Sequence, residues 1–231
     1  MCNNDLKKDY ENFRQEINRR KITRLVHFTP TINFINIMDQ SAIFSRSKLK
    51  ALSASNPILY LDHFIEINDK LRLDKMETHI NFSIQHINHY LFEKFRNAYR
   101  DWEVSWCIIA VSPELIWQKG TKFSIGNAAS KQSQNHGIDG TFEKFLTLFQ
   151  DEIISQNVYG NRIVTRDKLA DCYTTDVQAE VLIPDKVPSS KILQIYFSNS
   201  EEMLNTKGAI SVLGIKEIPE LIVDNSLFEK R

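Results

Sequence analysis

The sequence predicts an α+β fold, because strand-like and helix-like segments are intermixed without the regular strand–helix–strand alternation of a parallel sheet. Of its 231 residues, 42% are hydrophobic and 25% are charged, as in ordinary globular domains rather than disordered chains. No linker rich in Pro, Gly or Ser divides the chain. Residues 1–231 are therefore interpreted as a single domain.

The first half of the chain is predicted to alternate between helices and short strands. Hydrophobic residues three and four apart predict an amphipathic helix near the N-terminus, and Pro30 is typical of a first helical position. The segment 45–79 lacks periodicity and is predicted to be irregular. The elements predicted here are helices over 5–20, directly after Pro30 and over 89–99, and strands over 21–28, 42–44 and 80–84.

The second half begins with the strongest predicted strand. Residues 103–111 are almost continuously apolar, which predicts a central strand. Segments 121–140 and 150–176 are polar or aperiodic and are predicted to be loops. The other predicted elements are helices over 113–117, 141–149 and 200–207, and strands over 177–183, 192–197 and 221–223.

Composition excludes several classes of protein and site. Lys plus Arg equals Asp plus Glu at 29 each, so the chain is not a bulk polyanion binder, although local patches can be basic. The seven glycines fit neither GxGxxG nor a P-loop. The three cysteines are too widely spaced for a disulfide framework or a metal knuckle. The longest apolar run falls far short of the ~20 residues that span a bilayer, so we expect a soluble, cytoplasmic protein with no membrane partner.

Three histidines raise the question of a metal site. His79, His86 and His89 lie close in the sequence, but there is no HExxH motif and no nearby Cys or carboxylate that completes a ligand set. His79 and His86 flank a predicted strand and would point in different directions. No metal is therefore expected.

The most specific chemical signal is the stretch Gln178-Ala179-Glu180-Val181-Leu182. In a strand, residues two apart point to the same face, so Gln178 and Glu180 would project together. A carboxylate in a core-bound strand is costly to bury without partners. Glu180 is therefore either functional, exposed on an edge strand, or paired with an arginine.

A second signal is His27-Phe28-Thr29, which closes the first predicted strand, with Asn33 one helical turn beyond Thr29. Their donors and acceptors suit the ribose and amide edges of a dinucleotide. The alternative is that His27 and Thr29 simply cap the following helix.

Taken together, the two motifs resemble the ADP-ribosyltransferase superfamily. The pieces HFTPTINFINIM and DVQAEVLIPDKVPSSKI resemble the DarT family of DNA ADP-ribosyltransferase toxins, and INFSIQHINHYLFEKF and NAASKQS are similar to its divergent branch rather than the thymine-specific one. The resemblance covers roughly residues 22–200. It implies an ADP-ribosyltransferase-like mixed central sheet with flanking helices.

The resemblance also implies the roles of individual residues toward NAD, which is a co-substrate in that family. Glu180 would be catalytic and would stabilise an oxocarbenium-like ribose, as carboxylates do in glycosidases. The thymine-modifying branch carries an arginine in a stretch written YFxPRxPM, where this chain has Asn81-Phe82-Ser83-Ile84-Gln85-His86. Arg72 is expected to substitute for it as the second catalytic residue and to pair with the pyrophosphate. The residues expected to bind NAD are His27, Phe28, Thr29, Asn33 and Ser83.

The implied acceptor is a base in single-stranded DNA, because a base attacked at its edge must be unpaired or flipped. The loop 156–176 would read the strand, and the divergent branch implies guanine. The chain would act as a toxin whose partner is a macrodomain antitoxin. The residues expected to contact DNA are Gln178, Tyr159 for stacking, and Arg162, Arg166 and Lys168 for phosphates.

Three other functions stay open on the sequence alone. The first is an ADP-ribosyltransferase that modifies RNA or protein. The second is a non-catalytic nucleic-acid-binding module that uses the basic clusters without NAD. The third is a metal-dependent nuclease that uses the histidines of 79–89.

Overall fold

The computed structural model describes residues 5–55, 76–102, 104–157 and 160–231. Its main sheet has seven strands in the order β11-β10-β4-β1-β3-β8-β5. The neighbouring strands pair antiparallel except β10 and β11, which are parallel. The strands are β1 Leu25–Pro30, β2 Ala42–Phe44, β3 His79–Ile84, β4 Trp106–Val111, β5 Lys122–Ser124, β6 Glu152–Asn157, β7 Gly160–Thr165, β8 Glu180–Pro184, β9 Lys186–Pro188, β10 Ile192–Phe197 and β11 Glu220–Val223. The α-helices are α1 Tyr10–Arg20, α2 Thr31–Asp39, α3 Arg46–Ser55, α4 His89–Ala98, α5 Lys131–His136, α6 Phe142–Thr147 and α7 Ser200–Val212.

Helices cover both faces of the main sheet. One face packs with α1, α2, α6 and α7 in a large core that contains Phe13, Phe34 and Phe145. The other face packs with α4 and the C-terminal turn in a smaller core around Phe92 and Phe228. The predicted α+β fold, with a mixed central sheet between helices, is confirmed. No helix in the described ranges is both long enough and apolar enough to cross a bilayer.

Strand β4 explains the most apolar stretch of the sequence. It pairs with β1 on one side and β10 on the other, and all its residues are buried. Because both faces of β4 are covered, the side chains that point to either face must be apolar.

The main sheet opens between β1 and β3. These strands pair only at Leu25↔Ile84 and Val26↔Ser83, whereas β1 and β4 pair along their whole length. Beyond Val26 the ladder between β1 and β3 stops. We call the boundary between β1 and β3 from His27 onward the seam.

Three segments predicted to be loops contain regular structure. The segment 45–79 includes α3, and 121–140 includes β5 and α5. The segment 150–176 contains an antiparallel hairpin of β6 and β7. The hairpin stands apart from the main sheet, and Ile154 and Ile163 on it are exposed. A strand that buries little apolar surface carries little alternation for sequence analysis to detect.

Candidate active site

Glu180 is the first residue of β8 and is only 5% exposed. Its Oε2 accepts hydrogen bonds from Asn81 Nδ2 at 3.1 Å and from the backbone N–H of Ala128 at 3.1 Å. Ala128 belongs to the NAASKQS segment. Strand β8 is paired on both sides, by β3 and β5, so the edge-strand interpretation of Glu180 is wrong. The carboxylate is instead buried and held in one orientation by donors from two elements.

His27 lies at the seam. Its Nδ1 is 2.9 Å from the backbone carbonyl oxygen of Asn81. A carbonyl only accepts, so Nδ1 carries the proton and the neutral ring presents Nε2 as an acceptor. Burial lowers the pKa of His27 below its ordinary value, and the bond to Asn81 opposes that shift without cancelling it. The ring is therefore neutral at pH 7.

Asn81 connects His27 with Glu180. Its carbonyl accepts from His27 and its side chain donates to Glu180. Since β3 lies between β1 and β8, the two strands that carry these groups are about 10 Å apart, twice the usual spacing of neighbouring strands. The structure thus brings the two sequence motifs to one place.

Asn81 is not among the residues that the sequence predicts for the site, although Ser83 in the same stretch is. A signal was present. Ile80, Phe82 and Ile84 face the large core, so alternation along β3 puts Asn81 and Ser83 together on the opposite face.

Thr29 and Asn33 form a polar pair beside His27. Asn33 Nδ2 donates to Thr29 Oγ1 at 3.1 Å, and Thr29 is buried. Within the part of the chain that the structure describes, the buried Oδ1 of Asn33 has no hydrogen-bond partner. The N-cap of α2 is Pro30, and no side chain caps this helix, so the capping interpretation is wrong. An unpaired buried acceptor is a place where a ligand hydroxyl can donate.

The other two residues predicted to bind NAD are differently placed. Ser83 is buried on β3 opposite Val26 and on the same face as Asn81. Phe28 packs against the smaller core, with ring centroids 5.3 Å from Phe92 and 6.0 Å from Trp106.

Gln178 is not on the strand with Glu180, because β8 begins at Glu180. Asp176 Oδ1 accepts from the Gln178 backbone N–H at 2.9 Å, and the Asp176 carbonyl accepts from Ala179 N–H at 3.1 Å. Such Asp side-chain bonds stabilise a turn in place of a strand. The predicted shared strand face of Gln178 and Glu180 is therefore wrong. Gln178 instead lines a small cavity, about 10 Å³ in volume, with Ser133 and Ser155.

Comparison with known proteins identifies the family. A family model described as "ssDNA thymidine ADP-ribosyltransferase, DarT" matches residues 26–228. The chain belongs to the DarT family. No curated protein matches it.

Solved DarT structures share the fold at low sequence identity. The chain matches Thermosipho africanus DarTG in complex with ADP-ribose with a TM-score of 0.54 and 19% identity, over 89% of this chain and 51% of that one. It matches Thermus sp. 2.9 DarT in complex with NAD+ with a TM-score of 0.58 and 9% identity, over 90% and 98% of the two chains. It matches the same DarT in complex with ADP-ribosylated ssDNA with a TM-score of 0.53 and 11% identity, over 90% and 97%. The chain thus spans about half the length of the Thermosipho DarTG chain.

The basic residues predicted to contact DNA differ in exposure in this DarT-family chain. Arg162 on β7 and Lys168 after it are exposed. Arg166 instead donates to the carbonyl oxygens of Tyr173 at 2.7 Å, Ala170 at 3.0 Å and Asp171 at 3.1 Å. Its guanidinium thereby holds the loop that leads to Glu180. Arg72 and Tyr159, the remaining predicted residues, lie outside the described residues.

Two of the three histidines at 79–89 form hydrogen bonds within the chain. His79 is bonded to Thr78 and to the Gly120 carbonyl, and His86 to the carbonyls of Ile87 and Ser226. Over the described ranges there is no group of three or more His, Cys, Asp or Glu side chains that could hold a metal ion.

Proposed function

We propose that this chain transfers ADP-ribose from NAD to a base in single-stranded DNA. The observation that carries the proposal is the buried Glu180 carboxylate, oriented by Asn81 and linked through Asn81 to the neutral His27. Family membership supports the reaction class.

The reaction requires a carboxylate near the ribose of NAD that carries the nicotinamide. The N-glycosidic bond breaks, its electron pair moves to the nicotinamide nitrogen, and neutral nicotinamide leaves. The ribose carbon then bonds to a nitrogen of the acceptor base. Glu180 stabilises the positive charge that develops on the ribose and accepts the proton that the base loses.

The acceptors at the seam suit the hydroxyl groups of NAD. His27 Nε2 and Asn33 Oδ1 can each accept from a ribose hydroxyl, and Thr29 and Ser83 supply further hydroxyls nearby. Phe28, which lies between His27 and Thr29 in β1, packs on Phe92 and so helps to hold that strand in place. Arg72 is proposed to pair with the pyrophosphate, since a guanidinium binds phosphate oxygens in a fork.

The acceptor base that we propose is guanine. The support is the stretch 81–86, which lacks the arginine of the YFxPRxPM pattern in the thymine-modifying branch. Thymine is the second candidate, because the matching family model is described as a thymidine ADP-ribosyltransferase.

The test is mass spectrometry of four oligonucleotides, each rich in one base, after incubation with purified protein and NAD. A gain of one ADP-ribose on the guanine-rich strand alone supports guanine. A gain on the thymine-rich strand alone replaces guanine with thymine. If only RNA or protein gains mass in parallel reactions, the DNA assignment is wrong.

DNA modification would make the chain toxic in the cytoplasm. Because it resembles DarT toxins, we propose a macrodomain antitoxin as its partner. Induced expression in bacteria should stop growth, while Glu180→Gln should not. Co-expression of a macrodomain protein that removes ADP-ribose from DNA should restore growth. Growth arrest by the Glu180→Gln chain would contradict a catalytic origin of toxicity.

A further inference from the structure

The first turn of α4 contains buried polar atoms without partners. His89 is 6% exposed, and both of its ring nitrogens lack a hydrogen-bond partner among the described residues. The Nδ2 of the preceding residue, Asn88, is also buried without one. Native proteins leave few buried polar groups unsatisfied. Two adjacent residues in this condition indicate a ligand that supplies the missing partners.

An exposed aromatic ring flanked by cations lies beside His89. Tyr90 is 41% exposed, and its ring centroid is 4.0 Å from that of His89. The Arg162 guanidinium lies 5.6 Å and the Lys230 ammonium 6.0 Å from the Tyr90 ring centroid. Three separate parts of the chain therefore meet here: α4, β7 and the C-terminus.

The two cations at Tyr90, those of Arg162 and Lys230, are not paired with carboxylates in the described ranges. Burial lowers the pKa of His89 to about 4, with further contributions from Lys230, His86, Arg231 and Arg162. His89 is thus a neutral N–H donor at pH 7 in a region of positive potential.

This surface lies on the same side of the main sheet as Glu180. Asn81, Ser83 and Glu180 share one face of β3 and β8. Ser83 is paired with Val26, which packs with Phe92 of α4 in the smaller core. The hairpin that carries Arg162 continues into the loop that ends at Glu180. The Tyr90 surface is therefore on the side of the sheet from which a strand would approach Glu180.

We propose that His89, Tyr90, Arg162 and Lys230 form a second nucleotide subsite for the DNA strand, beside the acceptor base. A neighbouring base stacks on Tyr90, and its phosphate accepts hydrogen bonds from Arg162, Lys230 and the His89 ring. Exposed aromatic rings next to cations bind single strands in this way with little sequence preference. This inference rests on the proposed DNA substrate and adds residues that the transfer reaction itself does not use.

The test measures the affinity of a fluorescent single-stranded oligonucleotide by anisotropy, without NAD. Tyr90→Ala is expected to weaken binding about tenfold, a typical loss of one stacked base, while Tyr90→Phe keeps most of the affinity. Lys230→Ala and Arg162→Ala should each weaken binding and reduce the slope of log affinity against log salt by about 0.7, the value of one phosphate contact on a single strand. Lys94→Ala is the matched control, because Lys94 is exposed on the same helix and takes no part in the subsite.

Two further measurements separate the outcomes. Titration with the oligonucleotide should move the His89 ring nitrogen signals in NMR spectra, and NAD affinity is measured by calorimetry for each variant. If Tyr90→Ala loses more affinity for NAD than for DNA, or loses neither, the subsite is wrong although the transferase is not. If the wild-type chain neither binds nor modifies single-stranded DNA, the proposed function fails together with the subsite.

Discussion

The seam and the Tyr90 surface hold their polar groups in opposite ways. At the seam, Glu180 and His27 are bonded to a neighbouring strand, and one residue, Asn81, serves both. At the surface, Arg162 and Lys230 lie over an exposed ring, and no carboxylate among the described residues forms a salt bridge with them. Bond cleavage requires groups that are already oriented where charge develops, whereas a strand that slides over a surface tolerates mobile cations. We therefore expect substitutions at the seam to lower the turnover of ADP-ribose transfer, and substitutions at the Tyr90 surface to lower the affinity for single-stranded DNA.

The largest effect is expected from Glu180→Gln. The amide keeps the shape and can still accept from Asn81 and Ala128, but it removes the charge, so transfer should fall at least about a hundredfold. Initial rates with NAD and single-stranded DNA measure it. Glu201→Gln, an exposed carboxylate at the start of α7, is the control. A Glu180→Gln enzyme with near wild-type turnover would remove Glu180 from the reaction.

The next effect is expected from Asn81→Ala. The substitution deletes a donor to Glu180 but leaves the backbone carbonyl that His27 uses. A hydrogen bond to a charged group contributes about 1.5–3 kcal/mol, so kcat should fall by about tenfold or more, with a smaller change in KM for NAD. Asn97→Ala on the exposed end of α4 is the control. A variant that changes KM alone would show that Asn81 only shapes the NAD site.

A smaller effect is expected from Arg166→Ala. This substitution tests whether Arg166 stabilises its loop or binds DNA phosphate. Because the guanidinium donates to three carbonyls of its own loop, the free energy of unfolding should fall by about 1 kcal/mol. Urea unfolding measures this, with the exposed Lys168→Ala as the control. If stability is unchanged and DNA affinity drops tenfold instead, Arg166 binds phosphate as the sequence suggested.

The smallest effect concerns the pH dependence of stability. The pKa of His89 is about 4 in the folded chain against an ordinary value of 6.5, so the unfolded chain takes up its proton first as pH falls. The stabilisation that comes from the neutral ring is present above pH 6.5 and is lost progressively toward pH 4. Urea unfolding over this range should show a shallower pH dependence for His89→Gln than for the wild type. Parallel curves would contradict the burial of a neutral ring.

Several elements could be predicted because their cause is local. The apolar run of β4 and the spacing of hydrophobic residues in α4 both report burial directly. The motifs singled out Glu180 and His27, which the structure joins through Asn81, because an acidic residue among core residues is rare without a function or a partner. The β6–β7 hairpin could not be predicted, because hydrophobicity along β6 does not follow burial: Ile154 is exposed and Ser155 is buried.

By itself, the sequence determined the fold class, the family and the identity of the acidic and imidazole groups, because burial patterns and short motifs are properties of neighbouring residues. Only the tertiary structure decided that Asn81 joins those two groups, that Arg166 is engaged by its own loop, and that His89 and Tyr90 meet Arg162 and Lys230. The contacts of Asn81 with His27 and Glu180, and those of Tyr90 with Arg162 and Lys230, join residues that are far apart in the sequence. Such contacts depend on how distant segments pack against one another. A pattern of neighbouring residues carries no information on that packing.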